Sequence, residues 1–146
     1  MFRDSTTPSV LKQNGPRISV EIKATSDYIH EASRLGWEFS SSGRISALID
    51  TGSAYTILKP EIVARCKLRH VSFADITWGG KAGKYPVHLA QITFPVGLMS
   101  LDSFPVVALG IGQLVDTPYD CLIGRDVLNR WRLTYDGSGI VEIQDL

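Results

Sequence analysis

The sequence predicts an all-β domain, on three observations. Short runs of strand character recur along the chain, with turn signals between them. Some alternate polar and apolar residues, as Arg17-Ile18-Ser19-Val20-Glu21-Ile22-Lys23 does; that is the pattern of a half-buried strand. Near the end, two more runs flank Asp136-Gly137-Ser138-Gly139, a hairpin turn sequence. Regularly spaced short strands argue for a barrel or a sandwich.

In chain order, residues 1–15 are rich in Ser, Thr, Pro, Asn and Gly and are expected to be a mobile arm ahead of a domain spanning 16–146. The first strand follows at Arg17–Lys23. Residues 24–43 are polar and mixed. A second strand pattern begins at Arg44 and runs through Ile45-Ser46-Ala47-Leu48-Ile49 into Asp50. Further strands are expected at Tyr55–Leu58, Val71–Trp78, Tyr85–Phe94, Leu101–Leu109, Cys121–Ile123, Arg132–Tyr135 and Ile140–Ile143. Two segments read as helices. Pro60–Arg65 opens with a proline suited to a first turn, and Asp126–Trp131 has an acid near its N-terminal end. There is no internal repeat.

Composition narrows the function classes. The 146 residues suit one compact domain with its own core. Lys plus Arg is 15 and Asp plus Glu is 15, so no basic excess points to nucleic acid or an anionic membrane. A neutral surface leaves self-association unopposed. Cys66 and Cys121 lack metal-ligand spacing; reduced, buried thiols in a cytoplasmic protein are expected, with a lone disulfide as the alternative. The polar start of the chain carries no apolar signal segment. The longest apolar stretch, Phe104 to Val115, is interrupted by Pro105, Gly110 and Gly112 and is too short to span a bilayer.

The chemistry concentrates at Ala47-Leu48-Ile49-Asp50-Thr51-Gly52-Ser53. An apolar strand runs straight into an acid, a hydroxyl, a glycine and a second hydroxyl. A carboxylate at the end of a buried strand must be hydrogen-bonded or protonated. The Gly52 N–H and the Ser53 hydroxyl are candidate donors to it, and glycine lets another chain approach closely. Asp-Thr-Gly-Ser is also a good turn sequence, but a surface turn has no need of three apolar residues leading into its acid. About seventy residues later comes Tyr119-Asp120-Cys121-Leu122-Ile123-Gly124-Arg125-Asp126-Val127-Leu128: an apolar strand, a glycine, then a polar helix start.

With both segments present and in order, the sequence resembles the retropepsin-like aspartic proteases, the single-domain family found in retroviruses and also in bacteria. The resemblance extends weakly to Gly15–Val20 as a first strand and to Trp78-Gly79-Gly80-Lys81-Ala82-Gly83-Lys84 as the tip of a flap hairpin. It implies a closed or partly open antiparallel β-barrel of the acid-protease type, with one short C-terminal helix and a flap. It implies an aspartic endopeptidase with Asp50 as catalytic residue. Thr51, Gly52, Ser53, Ile123, Gly124 and Arg125 would support it, and Trp78, Gly79, Gly80, Lys81, Ala82 and Gly83 would form the substrate-binding flap. No cofactor and no metal are implied. The chain carries one Asp-Thr-Gly, so a homodimer acting on a peptide or protein substrate is expected, with no nucleic-acid or membrane partner. In this family the chain ends pair between subunits, and Ile18–Ile22 and Ile140–Ile143 are the candidates here. The alternative is a noncatalytic peptide-binding or dimerisation module on the same barrel.

Two departures from the viral members stand out. Ala54 occupies the position where they carry an Asp that pairs with the arginine of the later motif, so Arg125 needs another partner. The chain is also longer, with the excess expected as loops at 24–43 and 97–118. Other polar residues are set aside. His30, His70 and His88 match no zinc or hydrolase spacing. Ser53 has no His/Asp arrangement to activate it. Trp37, Trp78 and Trp131 read as core or interface residues. Asp102, Asp116, Asp120 and Asp126 lack the apolar lead-in that precedes Asp50 and the Thr-Gly that follows it.

Overall fold

The computed structural model describes residues 1–78, 80–109 and 118–146. Ten strands and four helices are assigned among them. A three-stranded antiparallel sheet is built from β1 (Phe2–Ser5), β9 (Trp131–Asp136) and β10 (Ile140–Asp145), with β10 in the middle. The larger sheet holds β2 (Arg17–Lys23), β3 (Arg44–Ile49), β4 (Ile57–Leu58), β5 (Arg69–Trp78), β6 (Lys81–Thr93), β7 (Leu101–Ala108) and β8 (Cys121–Ile123). Its order is β2-β3-β8-β4-β7-β6-β5, and β2 also pairs with β6 through Glu21–Lys23.

The fold is mostly β, but the sheet is mixed rather than antiparallel. β3 runs parallel to β8, and β4 parallel to β7. Parallel partners need a long crossover, and the chain between β3 and β8 supplies it. β8 lies between two partners, and all three of its residues are buried, as a strand covered on both faces requires.

Strand alternation sorts the apolar residues into two clusters. Ala47, Ile49, Leu58, Val106, Ala108, Cys121 and Ile123 belong to the larger, which also takes Ile18, Val20 and Ile22 from β2. Their strand neighbours Ile57, Val107 and Leu122 belong to the smaller, with Leu48 packed against it. Successive side chains point to opposite faces, so the loop that follows β3 emerges between two cores.

Residues 1–15, expected to be a mobile arm, carry regular structure. Phe2–Ser5 pairs with β10 from Phe2↔Ile143 to Ser5↔Ile140. Helix α1 (Pro8–Asn14) follows. Thr7 caps it by accepting from the Val10 N–H at 3.2 Å, Pro8 opens it, and Gly15 closes it. Its one buried residue, Leu11, anchors it with about 2 kcal/mol of burial.

A second helix, α2 (Ser26–Ser33), occupies part of the expected 24–43 loop, capped by Thr25. Helix α3 (Pro60–Arg65) matches its sequence pattern. Helix α4 spans only Arg125–Leu128, because the chain turns into β9 at Trp131. The single helix expected near the C-terminus is therefore one of four among the described residues. No helix among the described residues is long and apolar enough to cross a membrane.

Ile18–Ile22 and Ile140–Ile143 were expected to pair between subunits, but both are partnered within the chain. β2 bonds to β3 and β6, and β10 to β1 and β9. Among the described residues, the edges left open in the small sheet belong to β1 and β9.

Candidate functional site

Asp50 stands where β3 ends, and its backbone continues the parallel pairing: its N–H donates to the Ile123 carbonyl at 2.9 Å. The chain then turns tightly, with the Ser53 N–H donating to the Asp50 carbonyl at 3.2 Å. The turn brings the Gly52 N–H to the Asp50 carboxylate, with 2.9 Å to Oδ1. That is the one protein donor to this carboxylate among the described residues, so acceptor positions remain for water or a partner. Asp50 is half-buried, Thr51 and Gly52 are exposed, and Ser53 is buried.

The Ser53 hydroxyl does not reach the carboxylate as expected. It donates instead to the Tyr55 carbonyl at 2.7 Å and so stiffens the loop. The Arg125 N–H donates to the Ser53 carbonyl at 2.8 Å. The Arg125 guanidinium donates from Nη1 to the Thr51 carbonyl at 2.8 Å. With Ala54 in the place of an acid, the partner of Arg125 is thus a backbone oxygen beside Asp50.

Ile123 and Gly124 close the arrangement from below. Ile123 is fully buried. A Cβ on Gly124 would lie 2.3 Å from the Tyr55 carbonyl oxygen and 3.0 Å from that of Ser53. Glycine is required here because two backbones cross at contact distance.

Two further residues hold the crossing: Thr56, which the sequence did not single out, and Asp126, expected there only as an acid near the start of a helix. Thr56 is completely buried. Its N–H donates to Asp126 Oδ2 at 3.0 Å, its hydroxyl donates to Oδ1 at 2.7 Å, and that hydroxyl oxygen accepts from the Gly124 N–H at 3.2 Å. Asp126 Oδ1 also accepts from the Val127 N–H at 2.8 Å, at the start of α4. The one available signal was a lone polar residue within the apolar run Tyr55-Thr56-Ile57-Leu58.

The β5–β6 hairpin faces the loop. A cavity of about 230 Å³ lies among Gly52–Tyr55, Ile57, Asp75–Thr77 and Arg125, with the Asp50 loop on one side and β5 on the other. Across the hairpin the last pairing is Trp78 with Lys81, and Gly80 between them has φ +80°. Lys81 and Ala82 are exposed at the tip and Gly83 is half-buried; Gly79 lies outside the described residues. A larger cavity, about 660 Å³, lies between β1 and the β2/β3 face and takes in none of the Asp50 loop. The smaller one is where the carboxylate loop, the hairpin and Arg125 converge.

Cys121, directly behind the site, is no rival nucleophile. Burial pushes its thiol well above the ordinary range, and the charges of Asp126 and Asp120 push the same way.

No protein-family model matches the chain, and no curated protein matches it. Among solved structures it is similar to EIAV protease complexed with the inhibitor HBY-793, at 17% identity and TM-score 0.40 over 78% of this chain and 85% of that one. It is also similar to the retroviral protease-like domain of Ddi1 from Leishmania major, at 13% identity and TM-score 0.31 over 90% of this chain and 94% of that one.

Proposed function

We propose that the chain is an aspartic endopeptidase of the retropepsin-like kind, working as a homodimer in which Asp50 of each copy supplies one of two catalytic carboxylates. The observation that carries this reading is the mounting of Asp50. A half-buried carboxylate sits at the end of a core strand, with one oxygen capped by the Gly52 N–H. Its loop is tied to the Gly124–Asp126 segment by bonds from both sides. A surface turn needs no such anchorage, whereas a catalytic acid must be held in a fixed place.

One Asp-Thr-Gly per chain supplies half of a carboxylate pair, so a second copy must supply the rest across a two-fold axis. Two carboxylates in contact do not both ionise; they share a proton and titrate as a unit. The ionised member takes a proton from a bound water while the protonated one donates to the scissile carbonyl oxygen. Water adds to the carbonyl carbon and a tetrahedral diol forms, with no covalent enzyme intermediate. The diol then collapses as the amide nitrogen is protonated and leaves. The β5–β6 hairpin closes over an extended peptide and bonds its backbone.

The test is cleavage of a mixed peptide library from about pH 4 to 7, read by mass spectrometry beside Asp50→Asn, with sedimentation on the same samples. Wild-type cleavage that vanishes in a folded, dimeric Asp50→Asn variant is expected. A variant that cuts at the wild-type rate would overturn the assignment. A dimer in which neither protein cuts would make the chain a binding module.

A further inference from the structure

The outer edge of β2 is only half used. Residues facing each other in an antiparallel pair alternate between those that exchange backbone bonds and those that do not. The Ile49 N–H donates to the Pro16 carbonyl at 2.9 Å, just before Arg17 pairs with Leu48. In that phase Ile18 and Val20 turn their N–H and carbonyl groups toward β3, while Arg17, Ser19, Glu21 and Lys23 turn theirs away. Glu21 and Lys23 meet Thr93 and Gln91 of β6 on that side. The ladder then stops. Continued in register, it would bring Pro95 opposite Ser19, and proline has no N–H to give. Among the described residues no strand pairs with Arg17 or Ser19 there.

The cavity of about 660 Å³ opens along this stretch, lined by Arg17–Glu21, by Thr93–Val96 and, across from them, by Phe2 and Asp4 of β1. Ser19 is exposed and Arg17 half-buried, so the edge can be reached from solvent. Arg17–Val20 spans about 13 Å at the rise of a strand. The Arg17 guanidinium lies over the Tyr119 ring at 4.7 Å and has no carboxylate partner among the described residues. The acids of the groove are already engaged. Glu21 lies 3.7 Å from Lys23, and Asp4 accepts from the Ser5 N–H at 2.9 Å.

We propose that this groove takes an extended segment of a partner protein as an added antiparallel strand on β2, with an acidic residue opposite Arg17 and apolar residues beside the acid. A row of backbone donors and acceptors at a sheet edge is matched by another extended main chain. Directly opposed residues share a face of the sheet, so a residue opposite Arg17 or Ser19 lies on the face of the guanidinium, where an acid gains from its charge. The next residue along points the other way, with Ile18 and Val20, toward the core margin where Phe2 packs and Phe94 is buried. The groove takes in none of the Asp50 loop, and the inference does not rest on peptidase activity.

The probe is a capped pentapeptide that alternates threonine and valine about a central glutamate. It is titrated into the 15N-labelled full chain carrying Asp50→Asn, so that the peptide stays intact, and followed by amide resonances and hydrogen exchange. The Arg17 and Ser19 amides should shift and gain protection, whereas those of Ile18 and Val20, already bonded to β3, should gain none. N-methylation of the glutamate removes a donor to β2 and should weaken binding roughly tenfold or more. Arg17→Glu should weaken it about two- to fivefold, and lysine in place of the peptide's glutamate should then bind better. Arg17 and Ser19 amides unmoved at millimolar peptide would overturn the proposal, as would equal binding of the N-methylated peptide, which needs no variant of the groove. Shifts confined to residues 52–55 and 75–77 would place the peptide in the smaller cavity and overturn it too. Slow exchange at Arg17 and Ser19 without peptide, rising with protein concentration, would give the edge to a second copy of the chain and equally overturn it.

Discussion

Asp126 holds Thr56 with both carboxylate oxygens: Oδ2 accepts from the Thr56 N–H at 3.0 Å and Oδ1 from its hydroxyl at 2.7 Å. Because Thr56 is fully buried, neither donor has water to turn to. Asp126→Ala should therefore destabilise the protein by about 2–4 kcal/mol, the penalty of two orphaned donors that had bonded a charged acceptor. For a domain of this size that lowers Tm by roughly 5–15 °C. Asp126→Asn keeps one acceptor oxygen and should lose less. Thermal unfolding of the pair checks both statements; equal, small losses would mean that the loop is held elsewhere.

Gly124 isolates steric crowding from backbone strain. Its φ of −92° and ψ of −179° are open to any residue, so Gly124→Ala introduces no torsional penalty. The added Cβ would nevertheless meet the Tyr55 carbonyl oxygen at 2.3 Å and its carbon at 2.4 Å. Both are backbone atoms, so the loop or α4 must move. A loss of about 1–3 kcal/mol is expected, with amide shifts spread over residues 51–56. Gly137→Ala is the control, since among the described residues nothing lies within 4 Å of its Cβ position.

Arg125 should affect rate more than stability. Its Nη1 donates to the Thr51 carbonyl at 2.8 Å from an exposed position, where one such bond contributes about 1 kcal/mol or less. Under the proposed function that carbonyl adjoins the catalytic carboxylate. Arg125→Met keeps much of the apolar stem and removes the donor. It should lower kcat by about tenfold to a hundredfold through misplacement of the loop, with Tm nearly unchanged. Peptide kinetics beside thermal unfolding separate the two; a fall in Tm matching the fall in kcat would make Arg125 merely structural.

What the sequence displayed, and what it hid, follows from the range of the interactions. β2 and β3 were legible because Ile18, Val20 and Ile22, and then Ile45, Ala47 and Ile49, alternate toward one core. The Asp50 and Gly124 segments were legible because each is a contiguous run. The parallel pairing of β3 with β8 was not, because nothing local records which distant strand completes a ladder. The same holds for Thr56 with Asp126, which are remote in sequence and meet only when the two segments cross. Helices α1 and α2 escaped for another reason. Each buries one residue, Leu11 or Ala32, so no helical period of apolar residues exists to be read. Only their ends mark them: Thr7, Pro8 and Gly15 for α1 and Thr25 for α2.

The N-terminal segment offers the sharpest contrast between the two readings. A mobile arm can be removed without consequence. In the structure, Phe2–Ser5 forms the third strand of the small sheet along β10, Phe2 packs against the larger core, and Arg3 lies 3.5 Å from Glu142 across the pair. The ion pair joins an exposed Arg3 to a half-buried Glu142 at the surface and contributes little. The burial of Phe2 and the backbone bonds to β10 contribute more, about 2–4 kcal/mol together. Deleting residues 1–5 leaves an edge of β10 without its partner, which also favours aggregation through that edge. A truncated chain should unfold roughly 5–15 °C below the full one and show faster amide exchange at Val141 and Ile143. An unchanged Tm would return these residues to the status of an arm.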